Sequence, residues 1–212
     1  SFGECMLQVL TELLSNRNIP INSITYRVKD VDALAEKLTR PGKDYESLTD
    51  VTDLLGLRVV TNFADDVDRV VRIIDRHLDV DPDHSEDKRP YDPHWFGYAS
   101  VHRVCSLPKA MLERPEYARF AGLRCEIQVR SILQHAWAEI EHDLGYKVAG
   151  GIPNSLRRRF SMLAGLLELA DDQFMLLRDE LTLYSTRVVA QLQRNPEAVA
   201  LDTISLETFI RN

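Results

Sequence analysis

The spacing of hydrophobic and polar residues predicts two kinds of secondary structure in the first 150 residues. Apolar residues three and four positions apart indicate amphipathic helices, and they recur over 2–16, 30–40, 65–78, 108–120 and 132–147. Alternating or β-branched runs indicate strands, and they occupy 23–29, 57–63, 99–107 and 124–130. The acidic segment 83–87 is predicted to be a solvated loop. This order of elements predicts an α+β fold, a mixed β-sheet flanked by helices.

The clearest break in this pattern is Gly150-Gly151-Ile152-Pro153. Glycine and proline together interrupt both helices and strands. Beyond the break, leucines follow a helical period from 155 to about 193, without any strand pattern. We therefore expect one folded domain over residues 1–150 and a C-terminal helical extension over residues 151–212.

The composition is typical of a soluble globular protein, with 44% hydrophobic and 28% charged residues. No apolar run approaches the roughly 20 residues that cross a bilayer, and the start shows no secretory signal pattern. The three cysteines, Cys5, Cys105 and Cys125, are too few and too scattered for a disulfide framework. We expect them to be reduced and Cys105 and Cys125 to be buried, in a cytoplasmic protein without a membrane partner.

The net charge of −7 argues against a general nucleic-acid-binding protein, which usually has a basic surface. It leaves room for a local basic pocket. Arg27 and Lys29 share one face of a predicted strand, and Lys37 and Arg40 share one face of the next helix. Four such cations form either ordinary charged surface or a site for a triphosphate. Because the chain has no Walker-type glycine loop, side chains would have to build any phosphate site.

The predicted strand 124–130 has one polar face. Since alternate side chains of a strand point the same way, Glu126, Gln128 and Arg130 lie together. This face is either solvated or able to hold a metal and a nucleotide. Asp53 either caps a turn before a strand or, with Glu126, offers the oxygen ligands that Mg²⁺ prefers.

The loop-like segment 89–102 is rich in aromatic residues and histidines. A nucleobase can stack on such rings, which makes the segment a candidate base-binding site. The alternative is a packed aromatic turn.

Two other segments have a metal-like composition but too few ligands. One helical face carries four polar side chains, at His135, Glu139, His142 and Tyr146. A zinc or di-iron site requires more ligands than this face offers. The acidic segment 83–87 includes a histidine but no helical partner for it.

The order of these motifs resembles the synthetase domain of the RelA/SpoT alarmone family. The motifs are Arg-x-Lys at 27–29, Lys37, Asp-x-x-Gly-x-Arg at 53–58, Gly-Tyr-x-Ser-x-His at 97–102, Glu-x-Gln-x-Arg at 126–130 and Trp-Ala-x-x-Glu-His at 137–142. The resemblance covers residues 21–147 and implies a nucleotidyltransferase-like synthetase fold. The short length and helical tail are similar to the stand-alone small alarmone synthetases, which implies a homo-oligomer formed through the C-terminal helices.

The resemblance implies roles for the cations near the start of the domain. Arg27 and Arg58 match the arginines that enclose the adenine ring of ATP. Lys29, Lys37 and Arg40 match the cations around the ATP phosphates. All five residues would therefore bind ATP.

It also implies a metal and an acceptor site. Asp53 and Glu126 match the carboxylates that hold Mg²⁺, and Glu126 would also activate the acceptor 3′-hydroxyl. Tyr98 matches the ring that stacks on guanine. The other acceptor-side positions are His94, His102, Gln128 and Arg130.

The implied reaction is transfer of pyrophosphate from ATP to the 3′-hydroxyl of GDP or GTP, with AMP as the leaving group. Positioning and charge stabilisation dominate such transfers, so cations, Mg²⁺ and a local base suffice. The hydrolase domain of the long family members is not found in this chain, so we expect synthesis only.

Three positions depart from the family pattern and leave the acceptor open. Ala33 replaces a common serine, His94 replaces a frequent lysine, and Phe96 replaces a small polar residue. Transfer to the 3′ end of tRNA or to an adenine nucleotide would keep the same fold. A tRNA acceptor requires a further basic surface, for which Arg157-Arg158-Arg159 is the conspicuous run. A catalytically silent binding module is the remaining alternative.

Overall fold

The computed structural model describes residues 1–39, 45, 47–89, 100–146 and 153–211. The strands are β1 (Ile21–Val28), β2 (Leu55–Thr61), β3 (Asp79–Asp87), β4 (Val101–Ser106) and β5 (Cys125–Ser131). The α-helices are α1 (Phe2–Ser15), α2 (Val31–Leu38), α3 (Ala64–His77), α4 (Lys109–Leu112), α5 (Pro115–Ala118), α6 (Ile132–Tyr146), α7 (Asn154–Arg194) and α8 (Thr203–Arg211). Short 3₁₀ turns occur at Leu48–Asp50 and Pro196–Ala198.

The strands form one mixed sheet in the order β1-β2-β5-β4-β3. β2 and β5 are parallel, whereas the other neighbours are antiparallel. The predicted α+β fold with a mixed sheet is therefore confirmed. Parallel pairing aligns Arg58 with Gln128 and Gly56 with Glu126, and antiparallel pairing places Arg27 opposite Gly56. The sheet thus brings the predicted functional residues of three strands side by side.

The opposite face of the sheet forms the hydrophobic core. Leu57, Val59, Ile127 and Val129 are at most 1% exposed and belong to one buried cluster with residues of α1 and α3. Each such side chain stabilises the fold by roughly 1.5–3 kcal/mol through the removal of apolar surface from water. The buried cysteines of β4 and β5 belong to the same cluster, as predicted. The polar face of β5 is therefore fixed by the burial of its apolar face.

The prediction of a loop over 83–87 was wrong, because these residues belong to strand β3. β3 pairs with β4 alone, at the edge of the sheet, and its register shifts between Asp81 and Glu86. An edge strand can carry charged side chains because one long side of it faces water. Its backbone pairing with β4, rather than its composition, makes it a strand.

The helix predicted over 108–120 is two short helices, α4 and α5. Pro115 is the first residue of α5, and Arg114 before it has an extended backbone, with φ −86° and ψ 136°. A proline disfavours a helical conformation at the preceding residue. The interruption is therefore local, at Arg114.

The chain divides into two compact units, Ser1–Glu168 and Leu169–Asn212. In the second unit, Val188 of α7 is 1% exposed, and the Tyr184 hydroxyl donates a hydrogen bond to Asp202. The predicted helical tail is confirmed in α7, whereas a domain boundary at residue 150 stays a prediction. Within the described ranges, no helix combines the length and the apolar composition of a membrane span.

Candidate active site

A cavity of about 310 Å³ opens over the polar face of β1, β2 and β5. Its lining residues come from these strands, from the segment before β2 and from α6: Thr25, Tyr26, Arg27, Asp53, Gly56, Leu57, Arg58, Glu126, Gln128 and Glu139. The size is within the range of small-ligand sites. Charged side chains of both signs line it, which suits a charged ligand rather than an apolar one.

Asp53 joins two of the predicted phosphate-binding cations. Its Oδ2 lies 2.9 Å from Lys29 Nζ, and its Oδ1 lies 2.7 Å from Lys37 Nζ. Burial raises the pKa of Asp53, but the hydrogen bonds from Lys37 and Lys29 outweigh that effect, so that the pKa is below its ordinary value. Asp53 is therefore ionised at neutral pH and holds both ammonium groups at one edge of the cavity.

Glu126 lies in the middle of a continuous hydrogen-bonded chain. His102 Nδ1 donates to its Oε1 at 3.0 Å, and Gln128 Nε2 donates to its Oε2 at 2.7 Å. Arg130 then donates to Gln128 Oε1 at 2.7 Å. At the other end, the Ser100 hydroxyl lies 2.6 Å from His102 Nε2 and donates to it when the ring is neutral. The chain fixes the position of the carboxylate on the sheet.

The pKa of Glu126 reflects opposing effects. Burial raises this pKa, but the hydrogen bonds from His102 and Gln128 lower it by more than burial raises it. The pKa of Glu126 is therefore below its ordinary value. The charge of Asp53 acts the other way and raises the pKa of Glu126, because like charges at close range disfavour each other. The two carboxylates therefore interact within one cavity while both stay ionised.

Two arginines of the site have unused donors. Arg58 donates to Glu139 Oε1 at 3.0 Å. Within the described part of the chain, the Nε atoms of Arg58 and Arg130 are buried without a hydrogen-bond partner. Burial and the neighbouring Arg58 charge lower the pKa of Arg130 to about 10. Buried donors without partners are rare in native proteins, and these two are available to an acceptor group of a ligand.

The carboxylates fit a divalent cation. Asp53 and Glu126 are ionised, line the same cavity and supply oxygen atoms. Each oxygen already accepts one hydrogen bond and retains a second lone pair. Mg²⁺ commonly uses one or two carboxylates together with substrate phosphates. The described residues contain no group of three or more histidine, cysteine or acidic side chains that would hold a metal alone.

The structure brings together most of the predicted site residues. Those in the cavity or in direct contact with its lining residues are Arg27, Lys29, Lys37, Asp53, Arg58, His102, Glu126, Gln128 and Arg130. Arg40, His94 and Tyr98 lie outside the described residues. The roles assigned to all twelve positions stay predictions.

Five of the lining residues were not assigned a role from sequence, among them Thr25 and Glu139. Thr25 precedes Arg27 by two positions and lies on the same strand face. The alternation of the strand could therefore have identified Thr25 as a site residue. Glu139 was recognised only as part of a polar helical face. Its contact with Arg58 depends on the packing of α6 near β2, which the sequence pattern does not specify.

Comparison with known proteins decides the family. The family model described as "Region found in RelA / SpoT proteins" matches residues 26–151. The chain belongs to this family. The match includes all twelve predicted site residues and every lining residue of the cavity except Thr25.

The family includes curated relatives of similar length. The GTP pyrophosphokinase YwaC of Bacillus subtilis is 27% identical over 168 residues, which cover 76% of this chain and 75% of YwaC. The GTP pyrophosphokinase YjbM of the same organism is 29% identical over 163 residues, which cover 76% of this chain and 74% of YjbM.

Solved structures of the family share the fold. Small alarmone synthetase 1 from Bacillus subtilis is 28% identical, with a TM-score of 0.67 and coverage of 85% of this chain and 92% of that one. The same enzyme bound to its product pppGpp is 26% identical, with a TM-score of 0.65 and coverage of 85% and 91%.

Proposed function

We propose that this chain is a GTP pyrophosphokinase that transfers pyrophosphate from ATP to the 3′-hydroxyl of GDP or GTP and produces an alarmone. The observation that carries the proposal is the ionised pair Asp53 and Glu126 in one cavity, with Lys29 and Lys37 held by Asp53 through ion pairs. The names of the relatives, GTP pyrophosphokinase, support it. So does the structure of a related synthetase bound to pppGpp.

The transfer forms one bond and breaks one. The acceptor 3′-oxygen attacks the β-phosphorus of ATP, the bond from that phosphorus to the α–β bridging oxygen breaks, and AMP leaves with the electron pair. Negative charge accumulates on the phosphate oxygens and on the leaving group. Lys29 and Lys37 neutralise this charge, and Asp53 keeps their ammonium groups together.

Glu126 accepts the proton of the 3′-hydroxyl as the new bond forms. Its lowered pKa makes it a weak base, so the proton moves late, when the attacking oxygen has become acidic. His102 and Gln128 hold the carboxylate during this step. When bound, Mg²⁺ supplies further charge neutralisation, and Asp53 and Glu126 are the residues that would hold it.

The two nucleotides bind to different residues around Asp53 and Glu126. Arg27 and Arg58 bind the adenine of ATP, and the free Nε donor of Arg58 is available to that ligand. His102, Gln128 and Arg130 lie on the acceptor side. His102 acts as a positioning residue, because both of its ring nitrogens already contact Ser100 and Glu126.

We further propose that the chain acts in the cytoplasm as a homo-oligomer formed through its C-terminal helices. Large hydrophobic residues along α7 are more than half exposed, among them Leu169, Phe174, Leu177 and Leu181. Exposed apolar surface of this extent is typical of protein–protein interfaces.

Product identification tests the function. The protein is incubated with Mg²⁺, ATP labelled in the β-phosphate and one acceptor at a time: GDP, GTP, GMP, ADP or deacylated tRNA. We expect AMP and a labelled guanosine 3′-diphosphate with GDP or GTP. Label only in tRNA or in an adenine nucleotide would instead identify one of the alternative acceptors. No AMP release with any acceptor would indicate a silent binding module.

A further inference from the structure

A second cavity, of about 640 Å³, lies between α3 and the turn that joins α1 to β1. It shares no lining residue with the candidate active site. Ile19 and Ile73, both 8% exposed, form its apolar part. Its polar lining consists of basic side chains, at Arg17, Arg69, Arg72, Arg76 and His77. We call it the arginine cavity.

The charges of α3 are separated between two sides of the helix. Three arginines of the cavity follow a spacing of three and four, which places them on one helical face. Two acids of the helix pair with arginines outside the cavity: Asp68 with Arg89 at 2.6 Å, and Asp75 with Arg103 at 2.8 Å. The helix therefore presents a basic face to the cavity although it contains several carboxylates.

The histidine at the end of α3 holds a guanidinium without neutralising it. His77 Nδ1 lies 3.0 Å from the carbonyl oxygen of Ile73, which can only accept, so Nδ1 carries the hydrogen. Arg17 Nη2, which can only donate, lies 2.9 Å from Nε2. The ring is therefore the neutral Nδ1–H tautomer. Arg17 is oriented by a neutral acceptor and keeps its full positive charge.

The cavity has an excess of positive charge. Asp66 Oδ1, on a side chain 1% exposed, accepts from Arg69 at 2.6 Å and compensates that guanidinium. Within the described residues, Arg72 and Arg76 form no ion pair. Four guanidiniums thus line the cavity, and Asp66 compensates one of them, in a chain whose overall charge is −7.

We propose that the arginine cavity binds a small anion with two or more phosphate groups. Guanidinium groups form paired, charge-assisted hydrogen bonds with phosphate oxygens, which explains arginine rather than lysine at every cationic position. The volume is suited to a small molecule. A nucleic acid would require a basic surface that extends along its backbone, whereas this one is confined to one helical face and one turn. The site is additional to the proposed activity and does not depend on it.

Inorganic tripolyphosphate is a probe that carries no base or sugar. Its binding is measured by calorimetry without Mg²⁺ for the full chain and for the double variant Arg72→Ala/Arg76→Ala. Both arginines are exposed in the unmodified chain and form no ion pair with another described residue. We expect binding to weaken roughly tenfold or more, since two charge-assisted contacts are lost. Arg17→Ala, on a different element, should also weaken it. Circular dichroism verifies that the variants are folded.

The matched control is Arg187→Ala/Arg194→Ala, which removes two exposed arginines from α7 and changes the net charge equally. It should bind tripolyphosphate within about twofold of the unmodified chain, because it leaves the cavity intact. Lys37→Ala, which removes a cation of the candidate active site, should also retain this binding. Unchanged binding in Arg72→Ala/Arg76→Ala would overturn the proposal, as would its complete loss in Lys37→Ala. Tighter binding of a short single-stranded RNA through Arg72 and Arg76 would overturn it in favour of a nucleic-acid surface.

Discussion

The environment of Glu126 suits both tasks that its carboxylate would perform, metal binding and proton acceptance. Hydrogen bonds to both oxygens and a lowered pKa favour the ionised form, which suits a metal ligand. A proton acceptor needs only one free lone pair at the moment when the attacking hydroxyl becomes acidic. The same geometry therefore serves both tasks, provided that His102 and Gln128 hold the carboxylate still.

Glu126→Gln tests these tasks together. We expect the rate of AMP release to fall by about 10³-fold or more, since both a metal ligand and a base are lost. The amide keeps the shape of the side chain, so the free energy of unfolding should fall by no more than about 1–2 kcal/mol. Rates are measured with ATP and GDP, and unfolding is measured in urea.

Glu116→Gln provides the control, because its side chain is 57% exposed on α5 and lies outside the cavity. It should release AMP at the rate of the unmodified chain. A Glu126→Gln enzyme of normal activity would contradict both roles of Glu126.

Among the elements, α6 contributes to the cavity through one side chain. Glu139 accepts from Arg58 of β2 at 3.0 Å and lies 3.7 Å from His135 Nδ1. Burial and the charge of Arg58 lower the pKa of His135, which favours the neutral ring. Glu139 therefore orients Arg58, and through it the predicted adenine position, from the neighbouring helix.

Glu139→Gln separates orientation from stability. Its side chain is 55% exposed, and such ion pairs contribute little, so the unfolding free energy should change by less than about 0.5 kcal/mol. We expect the KM for ATP to rise roughly three- to tenfold with kcat unchanged, because Arg58 loses its orienting partner. Steady-state kinetics with ATP varied at saturating GDP measure the effect. Glu141→Gln, on the same helix but outside the cavity lining, should leave the KM unchanged.

Sequence patterns predicted elements well where one face is buried. The alternation of β5 placed Glu126, Gln128 and Arg130 together, because the apolar residues between them must enter the core. β3 was missed because an edge strand with solvated side chains has neither alternation nor β-branched composition. Its pairing with β4 comes from the tertiary structure and cannot be read locally.

Contacts between elements were predictable only through family resemblance. The ion pairs of Asp53 join residues 16 and 24 positions apart, and no spacing rule connects them. In the arginine cavity, the basic face of α3 is visible as a helical period, but its association with Arg17 requires the turn between α1 and β1. The local sequence pattern therefore identifies the polar or basic face of a helix or strand. Only the tertiary structure specifies which of these faces contact each other.

At the scale of the whole molecule, the exposed apolar side chains of α7 support assembly. Light scattering should give a mass that is a multiple of the 24.3 kDa of one chain. Leu177→Glu/Leu181→Glu places two charges on one helical face, where the leucines are 52% and 55% exposed. We expect this variant to have the mass of one chain, because charges buried in an apolar interface without partners cost several kcal/mol.

Gln191→Glu/Gln193→Glu adds the same two charges at exposed polar positions of α7 and should assemble normally. A single-chain mass for the unmodified protein at micromolar concentration would contradict the assembly. So would normal assembly of the double leucine variant.

Asp53 links its local ion pairs to the stability of the first unit. It contacts Lys37 of α2 and Lys29, whose backbone N–H donates to Leu54 just before β2. Its folded pKa is below the ordinary value of 3.8. A carboxylate with a depressed folded pKa contributes stability that is fully present above its unfolded pKa and lost as the pH falls through the folded pKa. The contribution of Asp53 should therefore be complete at neutral pH and disappear in acid, below pH 3.8.

Asp53→Asn measures this contribution. At pH 7 the unfolding free energy should fall by about 1–3 kcal/mol, because two half-buried ammonium groups lose their shared counter-ion. In strong acid Asp53 itself is protonated and neutral, so the urea stability curves of the two proteins should converge as the pH falls from about 4 towards 2.

Asp32→Asn, which changes an exposed acid in the first turn of α2, should show a much smaller difference. Parallel curves for Asp53→Asn and the unmodified chain from pH 7 to pH 2 would contradict the stabilising ion pairs. Convergence would show that the carboxylate holding the two lysines also stabilises the fold.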